Sequence, residues 1–143
     1  MELAQTTKES PEPNVLVDQL QGNPGGEYPE AWRHVLIWDA ARLVALGVCH
    51  CGPGSEAGSN ACYIKFGAAR SGSSFEALLV ACEVLAATKG LSQLVAGANA
   101  GREKAFRQMI ARGFRSEFQG VVMQRHNELG YNRSDTYIID DWR

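Results

Sequence analysis

Apolar residues fall along the chain in two rhythms. "HVLIWDA" (34–40) and "RLVALGVCHC" (42–51) are rich in β-branched and apolar residues around one short polar break, and predict an antiparallel hairpin. "GPGSEAGSN" (52–60), dense in Gly and Ser, reads as a loop, and "ACYIKFGAA" (61–69) predicts a third strand. The rhythm then lengthens. In "SSFEALLVACEVLAATKG", Phe75, Leu78, Leu79, Cys82, Leu85 and Ala86 recur at helical spacing, with Ser73 or Ser74 as N-cap and Gly90 where the helix stops. "LSQLVAGAN" (91–99) predicts a buried strand. "GREKAFRQMIARG" (101–113) predicts a second helix with Phe106, Met109 and Ile110 on one face, closed by Gly113. "FQGVVMQRH" (118–126) and "TYIIDDW" (136–142), on either side of the polar "NELGYNRSD", predict a final hairpin.

The first thirty residues differ in kind. They hold four of the five prolines and the "GNPGG" cluster, so residues 1–30 form an irregular arm, whose one apolar piece, "NVLVDQL" (14–20), is either a short strand or a helical turn. Residues 31–143 make one α/β domain of order β-β-β-α-β-α-β-β. Its strand–helix–strand at 61–99 is long enough for a right-handed parallel crossover, so the sheet is mixed.

Composition narrows the function. With 143 residues, 45% of them hydrophobic, the chain supports one core. A net charge of −2 and a pI of about 5.9 give no basic surplus for a nucleic-acid backbone. No apolar run reaches the roughly 20 residues of a membrane span, and "MELAQTTKESPEP" lacks the form of a signal peptide, so a cytoplasmic protein is expected. Cys49, Cys51, Cys62 and Cys82 lie in apolar stretches and read as buried reduced thiols rather than disulfides. Residues 49 and 51 of a strand share a face that residue 50 does not, so Cys49, His50, Cys51 and Cys62 are not expected to converge on a metal.

Three stretches together resemble the GNAT acetyltransferase superfamily: "ARSGSSFEALL", the run "EALLVACEVLAATKGLSQLVAGANAGREKAFRQMIARGFR", and the closing "GYNRSDTYIIDDWR". In that family a strand leads to a Q/R-x-x-G-x-G/A turn, an apolar helix, a strand ending in Asn, and a second helix followed by "GF". The likeness runs without gaps from Arg70 to Arg115. It implies an acetyl-CoA co-substrate. Arg70, Ser71, Gly72, Ser73, Ser74 and Phe75 would hold the pyrophosphate. The backbone of Ile64, Lys65 and Phe66 would pair with the pantetheine arm, Asn99 and Phe106 would line its far side, and a splayed gap between the strands at 61–69 and 91–99 would admit it. The activity implied is acyl transfer to an amine acceptor, with a non-catalytic module for protein association or CoA sensing as the alternative.

Three departures qualify the likeness. Ser73 and Phe75 stand where the turn has small residues, and a benzyl group at 75 leaves room for a phosphate only if it turns inward, in register with Leu78, Leu79 and Cys82. Met109 takes the position of a proton-donating Tyr, and a thioether donates none. "ACYIKFGAA" carries no carboxylate and the nearest upstream is Glu56, which leaves His50, Tyr63 and Tyr131 as candidates; His50 has the pKa suited to a base. Finally, the arm replaces a strand and two helices that form the acceptor side, so a homodimer or another acetyltransferase chain is expected to complete it.

Other polar clusters read as structure. Asp135, Asp140 and Asp141 suit solvated positions, and Arg102, Lys104, Arg107 and Arg112 suit the wet face of a helix. Trp32, Trp38 and Trp142 suit core packing or a dimer seam.

Overall fold

The computed structural model describes residues 14–19, 32–123, 125–126 and 133–140. Among these the fold is mixed α/β: a six-stranded mixed sheet with two helices. The strands are β1 (Asn14–Gln19), β2 (Trp32–Asp39), β3 (Arg42–Cys51), β4 (Ala61–Ala69), β5 (Gln93–Ala96) and β6 (Tyr137–Ile139). The helices are α1 (Gly72–Thr88) and α2 (Glu103–Arg112). The sheet runs β1-β2-β3-β4-β5, and β6 also pairs with β4. Tyr131, Asp141 and Trp142, and most of the expected arm, lie outside the described residues.

The expected hairpin forms: β2 and β3 are antiparallel, joined through Ala40 at φ 51°. The apolar piece of the arm is a strand, β1, antiparallel to β2. β4 is antiparallel to β3 and parallel to β5, with α1 as the crossover.

α1 is seated by a pair of glycines. Gly47 and Gly67 face each other across β3 and β4, and a Cβ on either would lie 3.1 Å or 3.3 Å from a Leu78 methyl. Without side chains there, Leu78 sinks between the strands and is fully buried with Phe75, Leu79 and Cys82 against Val35, Ile37, Cys49 and Ile64. Ala105 and Met109 of α2 join the same core. Arg112 ties α2 to α1, its guanidinium donating to Glu83 (2.6 and 2.7 Å) and to Glu76.

Four sequence expectations are corrected. The N-cap of α1 is Ser71, not Ser73 or Ser74: its hydroxyl accepts from the Ser74 amide (3.2 Å) while the Ser74 hydroxyl accepts from the Ser71 amide (3.0 Å), a reciprocal capping box. β5 is shorter than 91–99 and half-exposed, with Gln93 and Val95 facing solvent. The hairpin of 118–126 with 136–142 does not form: the described residues of 118–126 are in no strand, and β6 pairs with Gly67–Ala69 of β4 instead. Arg102 is not on a wet face. It is 6% exposed and meets Asp140 at 2.8 Å.

No helix among the described residues is long and apolar enough to cross a membrane.

Candidate functional site

The site lies at a fork in the sheet order, where one edge of β4 pairs first with β5 and then with β6, and β4 carries a bulge between the two. Val48 opposes Phe66 and Cys49 opposes Ile64, so Lys65 is the extra residue on β4. Such a residue bends its strand and sharpens the local twist. The pairing of β4 with β5 starts at Ala61↔Gln93 and ends at Ile64↔Ala96, immediately before Lys65. These four pairs take in the whole of β5, which ends at Ala96 while β4 runs on to Ala69.

At the far end of β4, Arg70 and Ser71 lead into α1. The Arg70 amide donates to the Val44 carbonyl and its Nε to the Leu43 carbonyl, both at 2.9 Å, which fastens the turn to β3. Ser71, Ser73 and Ser74 gather three hydroxyls at the helix start, with Ser71 Oγ 3.0 Å from Ser73 Oγ and 2.9 Å from Ser74 Oγ. Phe75 points inward. It is fully buried, and its ring lies 5.5 Å from that of Tyr137. The benzyl group therefore does not cover the helix start, the condition that the sequence set for an anion-binding turn there.

β6 takes up the edge of β4 that β5 abandons. Gly67, Ala68 and Ala69 pair with Ile139, Ile138 and Tyr137. Of the backbone expected to meet a pantetheine arm, Ile64 is paired with β5, and Lys65 and Phe66 fall between the β5 and β6 ladders. The Tyr137 hydroxyl lies 3.0 Å from where a Cβ on Gly72 would stand, and Gln108 of α2 donates to the Gly72 carbonyl at 2.8 Å. The first turn of α1 is thus flanked by β6 on one side and α2 on the other.

Across the fork, Asn99 shapes the entry to α2. Its side-chain oxygen accepts from the Gly101 amide and its carbonyl from the Arg102 amide, both at 2.9 Å. Phe106 is half-buried in the first turn of that helix. Arg102 has no side-chain role as a cap, and its guanidinium is turned toward Asp140, just beyond β6.

His50 sits apart from this mouth. It is opposite Tyr63 in the register, 1% exposed, stacked on Trp32 with centroids 4.4 Å apart and edge-on to Tyr63 at 6.3 Å. The Gly-rich loop folds Glu56 to 3.8 Å from His50 Nδ1, and Lys65 Nζ bonds both Glu56 oxygens at 2.7 and 2.9 Å. Sequence reasoning named Glu56 only as the nearest carboxylate upstream of "ACYIKFGAA" and gave it no role. The Ser- and Gly-rich loop around it was the one signal that it could bend back onto β4.

The four thiols are free and buried. Cys51 and Cys62 are register partners with Sγ atoms 3.7 Å apart, as are those of Cys49 and Cys82. Contact with Cys49, then burial, pushes the Cys62 thiol up to about 12, and contact with Cys62, then burial, raises Cys51 further. These thiols stay protonated and unreactive. Among the described residues no three His, Cys, Asp or Glu side chains form a metal-binding group.

Two shallow depressions lie elsewhere, one of about 480 Å3 lined by Glu76, Glu83, Gln108, Ala111 and Arg112, the other of about 340 Å3 around Gly52, Pro53 and Lys89. Comparison of the chain with family models, with characterised proteins and with solved structures finds no match.

Proposed function

We propose that the domain binds the pantetheine arm and pyrophosphate of acetyl-CoA at the fork between β4 and β5, as an N-acetyltransferase of GNAT type. One observation carries the reading: the β4–β5 ladder ends at Ile64, beside a bulge at Lys65, and the same strand then runs into the serine-rich start of α1 with Phe75 turned away. The β4 edge beyond β5, once β6 is off it, would supply backbone partners for an extended amide chain, and the positive end of the α1 dipole would face its phosphates.

In the reaction the acceptor amine attacks the thioester carbonyl. A C–N bond forms, the C–S bond breaks, the amine loses a proton and the thiolate gains one. His50, with the Glu56 carboxylate 3.8 Å from its Nδ1, is the base, and its cover by Trp32 means that the proton reaches it through water or after Trp32 moves. Met109 is buried in the core and supplies no acid. The acceptor side is completed by a second copy or by another chain.

The burial of His50 and Met109 favours a second reading, a module that binds the coenzyme without turnover or serves protein association. Calorimetry with acetyl-CoA, followed by thiol release over a panel of amines, separates them. Binding with turnover is the expected result. Binding alone selects the sensing module, and the absence of both overturns the coenzyme assignment.

A further inference from the structure

We infer that the segment 133–140 is a latch, held in the fork in the place of an acyl-CoA and displaced when one binds. The inference rests on the proposed coenzyme site and adds a regulation to it.

The first argument is competition for one edge. A strand edge offers each N–H and C=O once, and β6 already uses those of Gly67–Ala69 on the side that β5 has left. An extended ligand that follows β4 past Phe66 has no ladder to join until β6 withdraws. Tyr137 adds a second obstruction, with its hydroxyl against Gly72 at the first turn of α1.

The second argument is how the segment is held. Three residue pairs, the buried side chain of Ile139 and the ring contact of Tyr137 on Phe75 account for its packing. Its other ties are polar, and both run to the start of α2. The Ser134 carbonyl accepts from the Lys104 amide at 3.0 Å, and the Asp140 carboxylate meets Arg102 at 2.8 Å. A ladder of three pairs is shorter than an ordinary strand and opens at low cost compared with the central β2–β3–β4 pairing.

The third argument concerns what is left behind. Arg102 is 6% exposed, and removing a counter-ion from a buried guanidinium is strongly unfavourable. Withdrawal of Asp140 therefore becomes favourable only when another anion takes its place, and the same anion can accept from the Lys104 amide at the head of α2. Acyl-CoA carries phosphates along with its amide-bearing arm. A neutral pantetheine amide would compete for the β4 edge but would leave Arg102 without a counter-charge. The latch therefore discriminates in favour of the nucleotide-bearing ligand.

Two sets of variants of the full chain test this. Asp140→Asn weakens the latch, and acetyl-CoA is expected to bind this variant roughly tenfold tighter than the native chain by calorimetry. Ala68→Cys with Ile138→Cys, which are register partners on β4 and β6, ties the latch down when oxidised. Acetyl-CoA binding is expected to be lost in the oxidised form and regained on reduction, and inorganic pyrophosphate is the probe for the anion alone. In the native chain, acetyl-CoA is expected to release the amides of 137–139 to hydrogen exchange while those of β2 and β3 stay protected. Equal binding by oxidised and reduced forms, with unchanged exchange at 137–139, overturns the latch and leaves the coenzyme site standing. Absence of binding by the native chain, by Asp140→Asn and by the reduced double variant overturns the coenzyme site and the latch with it.

Discussion

Leu78 shows how much one side chain organises. It fills the space that Gly47 and Gly67 leave open, so a change on either side of the contact is felt. Leu78→Ala should cost about 2–5 kcal/mol in urea unfolding through the cavity it leaves, and Gly47→Val about 1–3 kcal/mol through overpacking. The thiols give a second expectation at this scale. Cys51 and Cys62 hold their protons in the folded chain, while in the unfolded chain thiols ionise above about 8.5. Above that pH the unfolded state binds fewer protons than the folded one, so stability falls as pH rises, through the value of about 12 for Cys62. Denaturant midpoints from pH 8 to pH 10 check the sign. A chromogenic disulfide reagent at pH 8 should leave the thiols unmodified until the chain unfolds. Single residues were also where the sequence was hardest to read. Three serines within four residues are equal cap formers, and only the reciprocal bonds between Ser71 and Ser74 select one. Arg102 looks like the wet side of a helix because its partner, Asp140, is far off in sequence and brought in by the fold.

At the scale of elements, helices and strands were legible, the last strand included, but the partner of that strand was not. Periodicity decides α1, α2 and β2–β4 because each buries one face against a core that the sequence displays. The residues of 118–126 and 136–142 carry similar β patterns, and nothing local says which edge either will join. That choice follows from the length of β5, which ends opposite Ile64 and leaves Gly67–Ala69 of β4 to β6. The bulge at Lys65 has no mark in "ACYIKFGAA". The attachment of α2 is a separate matter of charge. Arg112 joins it to both Glu76 and Glu83, and these contacts raise the Arg112 pKa above its ordinary value, the Glu83 bond most. Arg112→Met should lower stability by about 1 kcal/mol, since the carboxylates are half-exposed. Hydrogen exchange should quicken in α2 and not in β3.

The whole molecule divides at the fork. On one side, β1 to β4 form a continuous antiparallel sheet with α1 seated on it; on the other, β5 and α2 are joined to it by four parallel residue pairs and by the helix contacts. Phe118, Val121, Val122 and Met123 follow α2 with 72 to 87% of their surface in water. Four large apolar groups so close together, on a chain of net charge −2, give little colloidal repulsion and a ready template for intermolecular β-pairing. The protein should therefore salt out at low ammonium sulfate concentration, by light scattering, and Val122→Lys should raise that threshold without shifting the unfolding midpoint.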